Sequence, residues 1–370
     1  MIRFGWLVGL VAALAAGLYI GANFMASPAG VPEPGLAARM EAAAPPAPKT
    51  VEWKLASTFF KSWPIHGDLG QLLVKNVAIA TGGGVELKFF EPGALVPTLE
   101  VFDAVSTGSV DAGWSSPGYW AGKEPVMPIF TTVPFGPNMN EYLAWLYAGG
   151  GEELFREVYA KHNIYPLHCG LHSPEGSGWF RKPIEGPEDL KGLKMRFFGL
   201  GARVMEKLGV STQLIAGGDV YPALELGTID ALEFSMPISD LNQGFWQVAK
   251  HYYFPGWHQQ TSLFELIVNM DRWNELSELQ KQQITLACSD LFRAGAAMSE
   301  SMQVEALEQL KEKGVILHKW PPEMIEMFRK ATDEVMAEEA AKDETFARVW
   351  QSLSTFRASY AEWRDLGYLN

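Results

Sequence analysis

The feature that most constrains this chain is a self-match. Glu100–Ala112 (EVFDAVSTGSVDA) lies without gaps on Asp219–Ala231 (DVYPALELGTIDA), at a constant offset of 119 residues. Each copy reads as a short helix, a glycine at its C-terminal end and a buried strand. A repeat of that kind implies two structurally similar α/β lobes. In open α/β sheets ligands bind beyond the carboxyl ends of the strands, so the cleft is expected where two such ends meet. In the repeat those ends are Trp114–Ser116 and Glu233–Ser235. Two lobes about a cleft describe a solute-binding protein.

The rest of the chain fits that plan. Strand-like runs (Val51–Thr58, Val85–Phe90, Val110–Ser116, Asn163–His172, Lys194–Phe198 and Ile229–Ser235) alternate with helical ones, as in α/β folds. After Asp271 the chain turns helical: one long 3.6-residue periodicity runs to Gly314, and a second opens on Pro321-Pro322. The expected division is lobe I over 51–171, with part of 258–370 returning to it, and lobe II over 172–257. Helices in 271–370 then brace both. With 370 residues, 48% of them hydrophobic, the chain has material for about two domains.

Before the lobes, Phe4–Ala22 (FGWLVGLVAALAAGLYIGA) is almost wholly apolar behind Arg3. Residues 1–26 therefore read as a secretory signal peptide or an uncleaved membrane anchor, with everything after them exported to the periplasm. Residues 27–50, rich in Pro, Ala and Gly, read as a linker. The formal charge of −13 repels phosphate backbones and argues against nucleic acid. Two cysteines, Cys169 and Cys288, cannot build a multi-Cys zinc site. Two buried thiols are the expectation, with a single bridge as the alternative.

Enzyme signatures are absent from the sequence: no G-x-S-x-G, Walker loop, G-x-G-x-x-G or H-E-x-x-H occurs. His168 and His172 lie four residues apart on a strand, so about 13 Å separates them at ~3.3 Å per residue, too far for one ion. Both read as packing residues. Arg196 ends a strand-like run, where its planar fork suits a carboxylate. Glu233 ends a buried apolar run, a costly place for a carboxylate unless it is paired or holds a metal.

Taken together, DLKGLKMR (Asp189–Arg196), YPALELGTIDALE (Tyr221–Glu233) and PGW (Pro255–Trp257) resemble the DctP-type solute receptors of tripartite ATP-independent periplasmic (TRAP) transporters. GWFRKPI, SSPGYWAGK and YYFPGW make the likeness strongest to the receptors for 2-oxo monocarboxylates and lactate. The resemblance implies two α/β lobes joined by crossing strands, and a ligand carboxylate held by Arg196. It also implies a cation beside the ligand, held by Glu175, Glu233, the backbone carbonyl of Phe234, and Gln259. Relative to the family pattern, the Glu and Gln at positions 175 and 259 have exchanged places, which leaves the cage at two carboxylates. Oxygen donors suit Na⁺, with Ca²⁺ as the alternative.

Phe59, Tyr119, Trp120, Trp179, Phe234 and Trp257 are the expected aromatic walls, with Glu175 beside the ligand, whose 2-oxo or 2-hydroxy oxygen completes the cation shell. The expected partners are a small organic acid and the transporter's membrane subunits, with a homodimer through the C-terminal helices as a further expectation. The main rival ligand is a C4-dicarboxylate, for which Lys61 or Lys123 could supply a second cationic pocket. A more distant rival is a hydrolase using Glu175 and Glu233 as a carboxylate pair.

Overall fold

A computed structural model of the chain describes residues 50–368. The N-terminal signal or anchor (1–26) and nearly all of the linker (27–50) lie outside the described residues. Among the described residues no helix is long and apolar enough to cross a membrane.

Eleven strands are seen among the described residues: β1 Val51–Ser57, β2 Val85–Phe90, β3 Ala112–Ser115, β4 Ile164–His172, β5 Gly178–Phe180, β6 Lys194–Arg196, β7 Ser211–Gln213, β8 Ala231–Leu232, β9 His251–Phe254, β10 Ser262–Asn269 and β11 Ile316–Lys319. They form two mixed sheets flanked by helices. The first has the order β2-β1-β3-β10-β4, the second β11-β9-β5-β8-β6-β7. In the first, β1 runs parallel to β2 and β3, while β10 returns antiparallel between β3 and β4.

The repeat is visible down to single bonds. The helix Val101–Ser106 leads through Gly108 into β3, and the helix Gly217–Glu225 leads through Gly227 into β8. Both glycines have φ of 74°, the left-handed C-terminal stop that glycine adopts without steric cost. In each copy the next aspartate accepts a backbone N–H from a neighbouring parallel strand. Asp111 takes Lys54 N of β1 at 2.9 Å, and Asp230 takes Lys194 N of β6 at 3.1 Å.

The sheets hold separate cores. Sheet one packs Trp53, Leu55, Trp114, Leu167 and Leu266, together with Trp120 and Trp145. Sheet two is covered on two faces, by a cluster around Met195, Trp257 and Phe328 and by another around Trp179, Leu232 and Tyr252. At ~25 cal/mol per Å² of apolar area removed from water, burying each of these large side chains contributes on the order of 1.5–3 kcal/mol.

The helical tail is more broken than its periodicity suggests. One helix spans Glu278–Ser301 and the next Gln303–Glu312, with the break at Met302. Hydroxyls of Ser299 and Ser301 bond back to carbonyls of their own helix there, which competes with the regular ladder. The strand β11, in the short gap between the two helical runs, adds to β9. The last periodic run divides at Asp343, whose carboxylate caps the helix Glu344–Gly367 by accepting Phe346 N. The helix Pro322–Lys342 packs on Leu200–Lys207 of the second sheet's layer. Glu344–Gly367 packs on the helices Met139–Ala148 and Gly151–Ala160 of the first.

The expectation of two separate thiols is corrected. Cys169 and Cys288 form a disulfide, with Cα atoms 4.2 Å apart, because the helix Glu278–Ser301 lies directly across β4. Pairing partners so far apart in the chain can be seen only once that packing is known.

Candidate functional site

Of the connections between the sheets, two contain no helix, one from β4 to β5 and one from β9 to β10. They are tied to each other by backbone bonds, Glu175 N to Gln259 O at 3.2 Å and Gly256 N to Glu175 O at 3.1 Å. Beside them lies a cavity of about 30 Å³. The first sheet's side supplies Phe59, His66, Ser116, Tyr119, His172, Ser262 and Phe264, the second supplies Arg196, Phe198 and Phe234, and the crossing segments supply Glu175 and Gln259.

Arg196 ends β6 and is 1% exposed. Its Nη1 donates to the backbone carbonyl of Glu233 and, at 3.1 Å, to Glu233 Oε2. That same Oε2 accepts Phe198 N at 2.9 Å. The guanidinium carbon sits 5.5 Å from the ring centroid of Phe234. Arg196 Nε, on the other edge of the fork, has no partner in the protein although it is buried.

Behind this pair lies a buried carboxylate–imidazole cluster. His172 Nε2 is 3.2 Å from Glu175 Oε1. His258 Nε2 is 3.6 Å from Glu175 Oε2 and 3.7 Å from Glu233 Oε1, ion-pair contacts rather than hydrogen bonds. Burial would raise the Glu175 carboxyl, but His172 and His258 outweigh it and hold the group below the ordinary carboxylate range. Burial likewise works to lower His258, and the charges of Glu175 and Glu233 raise it above its usual value instead. Burial, reinforced by His172, pushes His66 down to about 3, so its ring is neutral in the cavity wall.

The donor set can be tested for a cation. One ligand atom each from Glu175, Glu233 and His258 fall within 4.8 Å of one another. Glu175 Oε2, Glu233 Oε1, His258 Nε2 and Gln259 Oε1 are all buried with no hydrogen-bond partner. Buried polar atoms are normally satisfied. A cation held among the three oxygens of Glu175, Glu233 and Gln259 would satisfy them at once, so these residues fit one.

Of the residues singled out in the sequence, Phe59, Tyr119, Glu175, Arg196, Phe234 and Gln259 line the cavity, and Glu233 lies beside it on Arg196. Three expected walls do not line it. Trp120 turns into the first core and donates its indole N–H to Glu265 at 2.6 Å. Trp179 stacks on Tyr252 at 4.1 Å and donates to Asp240 at 2.8 Å. Trp257 stacks on Phe328 at 4.7 Å. Each neighbours a site residue in the chain, but its ring is spent on the core. Lys61 lies over the Phe89 ring and Lys123 pairs with Asp103, so neither lines the cavity.

Sequence reasoning missed His66, Phe198, His258 and Phe264. It also took His172 for a packing residue; the structure sets it in the cavity wall, while His168 bonds Glu152 at 2.9 Å.

Two α/β layers meeting over a cavity that holds a buried, half-used guanidinium are the architecture of a solute-binding receptor. The chain belongs to the DctP family, bacterial extracellular solute-binding protein family 7, whose family model matches residues 56–343. Its members are the receptors of TRAP transporters, working outside the cytoplasm with the transporter's membrane subunits; they are not an enzyme family.

A monocarboxylate 2-oxoacid-binding periplasmic protein of Nostoc is 34% identical over 321 residues, covering 86% of this chain and 88% of the relative. Among solved structures, a TRAP solute-binding protein of Colwellia psychrerythraea with bound calcium and pyruvate is 35% identical. Its TM-score is 0.81, covering 86% of this chain and 97% of that one. A Pseudoalteromonas atlantica receptor with bound sodium and pyruvate is 34% identical, TM-score 0.80, covering 85% and 96%.

Proposed function

We propose that this protein captures a small 2-oxo or 2-hydroxy monocarboxylate, such as pyruvate, 2-oxobutyrate or lactate, together with Na⁺ or Ca²⁺, and presents it to the TRAP membrane subunits. The observation that carries this reading is the unpartnered Nε edge of Arg196 beside unpartnered oxygens of Glu175, Glu233 and Gln259. A carboxylate fits the free edge of the guanidinium in two parallel bonds. The calcium- and sodium-bound pyruvate receptors that this chain is similar to support the same reading.

Glu175, Glu233 and Gln259 would hold the cation, with the Phe234 carbonyl from the family resemblance; His258, kept protonated by the two carboxylates, is a charged neighbour of the cage and not a donor to it. When bound, the ion supplies positive charge for the ligand's 2-oxygen. Arg196 orients the carboxylate, and Phe59, Tyr119, Phe198 and Phe234 exclude water. No bond is made or broken. A polar site of this kind rejects acids that lack the 2-oxygen, because buried donors and acceptors would be left unpaired.

The lobe boundaries expected from the sequence, and the signal or anchor before residue 27, are part of this proposal. So is a homodimer through the helix Glu344–Gly367, which leaves Trp363 and Leu366 exposed. Calorimetry with pyruvate, 2-oxobutyrate, lactate, propionate and malonate, each with calcium and with a chelator, tests the ligand. Preference for malonate, or propionate binding as well as pyruvate, would overturn it.

A further inference from the structure

Two glycines face each other's half of the molecule across the cavity. A Cβ on Gly118, in the turn after β3, would lie 2.2 Å from Cζ of Phe198, which follows β6. A Cβ on Gly217, at the start of the helix after β7, would lie 2.5 Å from Cη2 of Trp63, which follows β1. Each contact is far inside the distance at which carbon atoms pack. The arrangement is reciprocal, since each sheet's layer contributes one glycine and one ring.

Neither glycine owes its place to its backbone. Neither has a left-handed φ, and both lie in helical turns, where alanine is the better residue. What requires hydrogen instead of methyl is the ring arriving from the other layer. One ring lines the ligand cavity and the other packs directly behind a residue that does. Phe198 lines it and meets Tyr119 edge-on at 4.9 Å, while Trp63 meets the cavity residue Phe234 edge-on at 5.5 Å.

We propose that Gly118 and Gly217 are closure seats. They are positioning residues that touch no ligand, and they let Phe198 and Trp63 dock across the seam and hold the halves shut around a bound acid. The inference rests on the receptor reading above. A methyl at either seat opposes only the closed arrangement, so the capture-competent fraction falls and apparent affinity falls with it.

The test uses Gly118→Ala and Gly217→Ala in the full chain, with pyruvate and calcium as the probe. The expected result is affinity at least about tenfold weaker, mostly through faster dissociation, with the ligand-free melting temperature unchanged within about 2 °C. In a double-mutant cycle, Gly118→Ala should cost little once Phe198→Leu has removed the opposing ring. Alanine variants that bind like the wild type would overturn the seats. So would a ligand-free melting temperature that drops as far as the loaded one, since the glycines would then serve folding alone. A wild type that does not bind pyruvate instead sinks the ligand assignment, so the two failures are distinct.

Discussion

Arg196 Nη1 and Glu233 Oε2 lie 3.1 Å apart with no more than 2% of either side chain exposed. A buried pair of this kind is weak evidence of net stability, yet removing one member strands the other's charge. Arg196→Ala should therefore abolish acid binding and lower stability by about 3–5 kcal/mol. Arg196→Lys keeps the charge but lacks the fork, and should recover more stability than affinity. Chemical denaturation and calorimetry on both variants separate the two effects. Near-wild-type affinity in Arg196→Ala would refute the role given to the guanidinium.

The unpartnered oxygens of Glu175 and Glu233 lead to a second expectation. A cation that binds only the folded chain raises its stability by about 2.7 kcal/mol at a hundredfold excess over its dissociation constant. Calcium or sodium added to chelator-treated protein should raise the melting temperature. In Glu175→Gln or Glu233→Gln most of that increase should vanish. An equal increase in the variants would place the ion elsewhere.

The parts of this site that could be read from the sequence are those whose chemistry clashes with their local pattern. Glu233 stands at the end of an apolar strand, and Arg196 ends another; both are out of place unless they work. The repeat exposed the lobes because Gly108 and Gly227 perform the same turn in each copy. The tryptophans could not be sorted in the same way. Trp120 and Tyr119 are chain neighbours, and which of the two rings turns to the core depends on where Glu265 of β10 lies. His258 and His172 escaped notice for a related reason. A histidine carries no burial signature, and these two gain a role only when the crossing segments bring Glu175 between them. The Cys169–Cys288 bridge likewise depends on long-range packing.

Asp240 sets a third expectation, about pH. Its carboxylate accepts the Trp179 indole N–H in a fully buried pocket, and burial pushes it up to about 8 from an ordinary value of 3.8. Glu265, between Trp120 and Tyr159, is likewise pushed up by burial to about 8. A raised carboxyl means that the folded chain holds a proton the unfolded chain has lost. Between about pH 4 and pH 8 stability then falls as pH rises, and the penalty is complete above 8. Asp240→Asn should flatten this slope, with a gain of at least about 1 kcal/mol relative to wild type between pH 5 and pH 8. Melting curves across that range check it, and an unchanged slope would mean that the acid is ionised in the fold.

The disulfide separates stability from capture. Cys169 on β4 and Cys288 on the helix behind it close a loop of 119 residues. Constraining so long a loop in the unfolded chain is worth about 4–5 kcal/mol in the chain-entropy account, and measured native bridges give about 2–5. Neither cysteine lines the cavity. A Cys169→Ser/Cys288→Ser variant should therefore unfold at clearly lower denaturant concentration while its affinity for the acid changes by less than about threefold. Reduction of the wild type should reproduce the same loss. If affinity instead falls in step with stability, then β4, which ends on His172 at the cavity wall, transmits the bridge's constraint to the site.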